Sequence, residues 1–271
     1  MKFYTFLFTF LLFFGGKNFA SNGNNIIGAR AAGMGNITTV TSGFWSLYNN
    51  QAGLANYKNI SAGIYYENRF MLQALSLKAL GFVIPTNSGV FGVSYSNFGY
   101  SAYNENKLGL AYAKSFGKKI SVGIQLDYLH THINDDFKDK SVITFEAGFQ
   151  AKLTDDFCVG VHVFNPLNAK INDYKNERIP AVFKLGIAYL ISKDVICLFE
   201  IEKITAQNPN IKAGMEYKIL SKAYIRIGFM SDPATFTFGF GLKIKKLRFD
   251  IAASYHQVLG FSPKTSLILD L

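Results

Sequence analysis

The stretch SVITFEAGFQAKL, residues 141–153, alternates without a slip. Ile143, Phe145, Ala147, Phe149, Ala151 and Leu153 fall on one side of an extended chain, and Thr144, Glu146, Gly148, Gln150 and Lys152 on the other. A period of two is the signature of a β-strand whose faces meet different surroundings. Here one face is apolar and the other is polar or glycine.

The same pattern recurs in both directions along the chain. Ile120, Val122, Ile124, Leu126 and Tyr128 alternate with Ser121, Gly123, Gln125 and Asp127. Phe236, Phe238, Phe240, Leu242 and Ile244 alternate with Thr237, Gly239, Gly241 and Lys243, and Leu247 to His256 repeats the rhythm. Short turns at Asn87–Gly89, Phe116–Lys118, Thr154–Asp156 and Ser192–Asp194 close one end of successive hairpins. The opposite connections, at Asn97–Glu105, Ile133–Lys140 and Asn165–Arg178, read as longer. The strands expected are 59–67, 70–84, 90–97, 106–116, 119–132, 141–153, 157–164, 181–191, 194–203, 210–219, 222–230, 234–245, 246–257 and 264–271. An even number with short turns at one end and longer loops at the other predicts an all-β, closed, up-and-down antiparallel transmembrane β-barrel of about 14 strands.

Alternation alone also fits a soluble sandwich. Three features favour the barrel. Several strands reach about 10 residues, the length that crosses a bilayer when tilted. The final strand carries Thr265, Leu267, Leu269 and Leu271 on one face to the last residue, where it can close on the first. And the chain starts like an exported one: Lys2, an apolar run from Phe3 to Phe14, then Gly15 to Ala20, which reads as a signal peptide over residues 1–20.

Composition agrees. Of 271 residues, 49% are hydrophobic, 15% aromatic and 17% charged, with 24 Gly, 26 Phe and 15 Tyr. The aromatic content excludes disorder, and the lack of apolar runs of about 20 residues excludes a bundle of membrane helices. The net charge of +10 suits anionic lipid headgroups and lipopolysaccharide. Nucleic acid is excluded as a partner for an exported chain whose densest basic cluster is Lys243, Lys245, Lys246 and Arg248. The strand phase puts Cys158 on the inward face and Cys197 on the outward one, so the two should not be bonded.

Residues 21–57 do not alternate. Gly28 to Gly35 is small and flexible, and Phe44, Leu47 and Tyr48 sit at helical spacing. A non-strand segment ahead of a barrel (58–271) is a candidate lumen plug with a short helix. Gly28, Arg30, Gly33, Met34, Gly35, Trp45 and Asn50 are its candidate lumen residues, facing Glu200, Arg226, Asp250 and His256 on the wall. Arg30 is expected to pair with Asp250 or Glu200.

Other chemistry weighs less. The Gly28–Gly35 run follows no strand and precedes no Lys-Ser/Thr, so it is no phosphate loop. Asp250, Ser254 and His256 share one strand face, but Ser254 and His256 stand about 6.6–6.8 Å apart along an extended strand, beyond hydrogen-bond reach. No catalytic or metal site and no cofactor is expected. His130 and His132 fall on the outward face near a strand end. The further inward charges Asp127, Glu146, Lys152, Lys184, Glu202, Lys212, Glu216, Lys218 and Arg248 are of both signs, which favours pairing over an ion-selective pore.

The plug residues carry a resemblance. Ala29–Gly35 (ARAAGMG), followed by Asn50-Gln51-Ala52, resembles the plug of the FadL-like outer-membrane proteins, most nearly their PorV/PorQ-type branch, with Gln51 where that family has Pro. Arg178-Ile-Pro180, Gly186–Tyr189, Glu200–Lys203, Phe238–Gly241, Asp250, Tyr255-His256, Leu259-Gly260 and Ser262 are similar too, while Leu271 stands where the family ends in an aromatic residue. The resemblance implies a non-enzymatic outer-membrane protein of a Gram-negative cell. The PorV/PorQ branch implies an accessory of type IX secretion that meets secretion-system proteins or exported cargo. FadL itself implies passive uptake of hydrophobic small molecules. An outer-membrane lipid hydrolase is a minor third reading.

Overall fold

The computed structural model describes residues 25–134, 139–172, 177–205 and 207–271. The signal-peptide reading and the first residues of the expected plug lie outside them. In chain order the strands are β1 (Ser61–Asn68), β2 (Ser76–Thr86), β3 (Gly89–Tyr100), β4 (Tyr103–Phe116), β5 (Ile120–Ile133), β6 (Lys140–Lys152), β7 (Phe157–Phe164), β8 (Lys170–Asn172), β9 (Glu177–Arg178), β10 (Val182–Ser192), β11 (Val195–Ile204), β12 (Asn210–Leu220), β13 (Ala223–Ser231), β14 (Ala234–Ile244), β15 (Leu247–His256) and β16 (Gly260–Asp270). Strands β8 and β9 form a small hairpin of their own between β7 and β10; the other fourteen make one closed barrel. Every neighbour pair is antiparallel, and β1 closes on β16 from Ser61 opposite Asp270 to Glu67 opposite Lys264. Leu271 N–H donates to Ile60 O beside this seam.

The alternation sets the two faces as expected. On β5, Leu126 is 54% exposed while Gln125 and Asp127 on either side are 1% and 0% exposed. The exposed side carries Ile124, Leu110, Phe145, Leu185, Phe238 and many similar residues. An apolar belt of this extent is far larger than water tolerates and suits acyl chains. Cys158 and Cys197 are free, as the phase assignment requires.

Four expectations are corrected. The second strand begins at Ser76, not at 70, because Arg69–Met71 and Gln73–Leu75 form single 3-10 turns. Phe70 and Met71 both have positive φ, 54° and 59°, which takes the chain out of extended geometry. The expected long loop 97–105 is absent: β3 and β4 pair up to Tyr100 opposite Tyr103, stitched by Asn97 Nδ2 donating to Asn106 Oδ1 at 2.9 Å. The last strand starts at Gly260. Lys152, expected in the lumen, is exposed at the short-turn rim.

Inside the barrel sit α1 (Ala29–Ala32), α2 (Ser46–Asn49) and a 3-10 turn, Gln51–Leu54. Helix α2 is one turn only. Its Leu47 and Tyr48, with Phe44 just before it, pack against β1 to β4 as the helical spacing suggests.

Candidate functional site

Glycines on the inward face let the plug approach the wall. A Cβ on Gly33 would lie 2.9 Å from Gly239 Cα, and one on Gly214 would lie 2.5 Å from Met34 O. A Cβ on Gly35 would lie 2.8 Å from Phe229 O, and Gly35 also needs its φ of +69°. Gly28, at φ +112°, backs onto Trp45 in the same way. Met34 is fully buried among Ile37, Val40, Ala188 and Leu198.

Charge then fixes the plug in place. Arg30 does reach a wall carboxylate, but it is Glu216, at 2.7 and 2.9 Å, and not Asp250 or Glu200. Register is the reason: Glu216 lies opposite Arg226, and Arg226 bridges on to Asp250 at 2.7 Å. Glu200 serves another part of the plug. It accepts from Thr38 N (2.8 Å), Thr39 N (2.8 Å) and Thr39 Oγ1 (2.6 Å), and Lys212 Nζ donates to its other oxygen at 2.9 Å. Asn50 Oδ1 accepts from Ala52 N, capping the 3-10 turn, while its Nδ2 donates to Thr39 O at 2.6 Å. Gln51 donates Nε2 to Glu146 at 3.0 Å. Glu146 also meets Lys107 and His162. The structure thus brings Arg30, Arg226 and Asp250 together and leaves Glu200 and Asn50 in a second cluster.

His256 belongs to neither. It lies near the longer-loop mouth, where its Nδ1 accepts from Val258 N and Leu259 N. No hydrogen bond joins it to Ser254 among the described residues. His130 and His132 both face Asp139 at that rim.

The sequence reading missed the hydroxyl of Tyr48. Leu80 on β2 is paired with Tyr95 on β3. Tyr95 N–H donates to Tyr48 Oη at 3.2 Å, and that oxygen lies 2.6 Å from Leu80 O and 2.9 Å from Tyr95 O. A plug side chain therefore sits in the β2–β3 seam and takes a partner that an unbroken ladder would supply. Around it, Ile27, Phe44, Trp45, Leu47, Leu54, Tyr65, Leu77 and Val90 form the largest apolar cluster in the interior. The helical spacing marked Tyr48 as a packing residue; nothing in the pattern marks a hydroxyl aimed at the wall.

At the longer-loop end a cavity of about 360 Å³ opens beside the start of the plug. Ile26, Phe70, Met230 and Pro233 supply apolar walls, and Arg69, His256 and Lys264 supply polar ones. Arg69 is tied to Asn25 at 2.7 Å and stacks over Phe98 at 4.8 Å.

The sequence matches no family model and no curated protein. Solved structures of the same fold exist. The Pseudomonas putida toluene transporter TodX superposes with a TM-score of 0.66 at 13% identity, covering 92% of this chain and 97% of that one. The Ralstonia pickettii toluene transporter TbuX gives 0.66 at 12%, covering 89% and 96%. A Pseudomonas aeruginosa FadL homologue gives 0.66 at 12%, covering 93% and 100%. At this identity the likeness is one of fold alone. It does not bear on the PorV/PorQ branch.

Proposed function

We propose that the protein resides in the outer membrane and passes hydrophobic small molecules inward without coupling to an energy source. The observation that carries this is the Tyr48 hydroxyl in the β2–β3 seam. A ladder position held by a plug side chain is one that plug movement can open, and it lies between the apolar interior cluster and the lipid belt. A ligand would enter the cavity at the longer-loop mouth, whose volume falls in the range of small-molecule sites, about 300–1,000 Å³. It would then pass along the apolar sector between plug and β1–β4 and leave sideways. The roles of TodX and TbuX as toluene transporters agree with such a path.

The test is uptake of a hydrophobic fluorophore by cells carrying the native chain, Met230→Trp or Tyr48→Ala. Met230→Trp fills the mouth cavity and should reduce uptake several-fold, whereas Tyr48→Ala should change it at an unaltered surface proteome. Uptake indifferent to both substitutions and to gene deletion defeats the proposal.

A second reading follows from the PorV/PorQ resemblance: a type IX secretion accessory, acting through its outer loops on cargo or secretion-system proteins. The observation favouring it is the filled lumen, since such a role needs no throughput. Gene deletion that empties the surface proteome while leaving uptake intact would support it.

A further inference from the structure

The short-turn end carries a second cavity, of about 250 Å³, which the uptake path does not use. It lies between the plug and the rim ends of β13 to β16. Four cationic side chains line it, Arg30, Arg226, Lys243 and Arg248, against two carboxylates, Glu216 and Asp250. Both carboxylates are already engaged: Glu216 by Arg30 and Arg226, Asp250 by Arg226. Arg248 is matched by Asp270 at 3.1 Å, yet its Nε is buried and makes no hydrogen bond. Lys243 has no carboxylate partner among the described residues.

Register makes the imbalance sharper. Lys243, which is exposed at the rim, and Arg248, which is partly buried, are direct cross-strand partners on β14 and β15. Like charges facing each other across a ladder destabilise it, and Asp270 compensates Arg248 but not Lys243. The turns beside the cavity add Lys222, Lys245 and Lys246, all exposed. The field at this mouth therefore gathers anions, and hydroxyl-bearing Ser42 and Ser46 line its plug side.

We propose that this cavity binds an oxyanion of the phosphate class, held between Lys243 and Arg248 and beside Arg30, whose own N–H groups already donate to Glu216 and Ser42 O. The anion would be a free phosphate monoester or the headgroup of an anionic phospholipid in the adjoining leaflet. The site is independent of whether the barrel transports.

Trp45 lines the cavity and is the only tryptophan in the chain, so its fluorescence reads occupancy. The native protein in dodecyl maltoside is titrated with inorganic phosphate at constant ionic strength against chloride. In parallel, phosphatidylglycerol is raised stepwise in phosphatidylcholine nanodiscs. A saturable change in emission is expected in at least one arm: in the first for a free anion, in the second alone for a lipid headgroup. Lys243→Glu should weaken it about tenfold or more. Lys222→Glu, on the neighbouring turn but outside the cavity, should leave it within about twofold. Retained heat-modifiable mobility on a gel shows that both variants fold. No saturable change in either arm, or an equal loss in the two variants, overturns the site; the latter outcome would mean a diffuse rim field and no pocket.

Discussion

Glu200 binds the plug through three hydrogen bonds. It is fully buried and accepts from two backbone amides and one hydroxyl of Thr38 and Thr39 while pairing with Lys212. Removing it leaves those buried donors unmatched. Breaking a buried charge pair by deleting one partner costs about 3–5 kcal/mol. The loss falls on plug docking, because the wall's own ladders do not depend on this side chain. Glu200→Ala is therefore expected to keep a folded barrel by gel mobility while the 36–43 segment becomes open to protease. Glu200→Gln, which keeps one acceptor, should lie between. Equal protease resistance in all three proteins would mean that the plug is held elsewhere. Which carboxylate meets Arg30 is a different kind of question. Phase tells that Glu216, Glu200 and Asp250 all point inward, but depth along the barrel axis, set by the stagger of fourteen strands, decides among them.

At the level of the strand, the outward face has its own energetics. Leu126 is mid-strand on β5 and half exposed to the belt. Arginine at the bilayer midplane of such a barrel costs about 2–4 kcal/mol and much less near the interface. Leu126→Arg should lower stability in lipid vesicles by that amount, read from reversible denaturant unfolding, and Ile120→Arg at the strand end by about 1 kcal/mol or less. Equal losses would put the membrane boundary elsewhere. This face was legible because a period of two survives wherever both faces are constrained. It failed where local backbone geometry overrode it. Arg69 to Leu75 is apolar enough to read as strand, yet positive φ at Phe70 and Met71 folds it into turns. Asn97 and Asn104 read as loop residues, but both lie in the β3–β4 hairpin, where Asn97 Nδ2 donates across to Asn106 Oδ1 and Asn106 Nδ2 donates to Asn104 Oδ1 along β4. The glycines that receive the plug were visible as gaps in the inward face; that the plug's backbone would fill them was not, since contacts between distant segments leave no periodicity.

For the molecule as a whole, the question is whether the plug must move for anything to pass. The wall is closed, the lumen is filled, and the plug is anchored by charged side chains on β6, β11 and β12 and by apolar packing along β1 to β4. Passage should therefore use the apolar side, where the Tyr48 seam lies. A covalent tether there separates a moving plug from a static one. An ideal Cβ on Gly92 would lie 3.6 Å from Leu47 Cγ, so a shift of about half an ångström brings a sulfur at position 47 to the ~3 Å it needs from the opposite Cβ of a disulfide. With Cys158 and Cys197 replaced by serine, Leu47→Cys combined with Gly92→Cys should form that bond on mild oxidation. The oxidised protein is expected to lose most uptake of a hydrophobic fluorophore, and reduction should restore it to the level of the dithiol form. Because one polypeptide is compared with itself, any packing defect from the substitutions cancels. Full uptake in the oxidised state would show that small molecules do not travel between the plug and β3, and the lateral route through the Tyr48 seam would have to be abandoned.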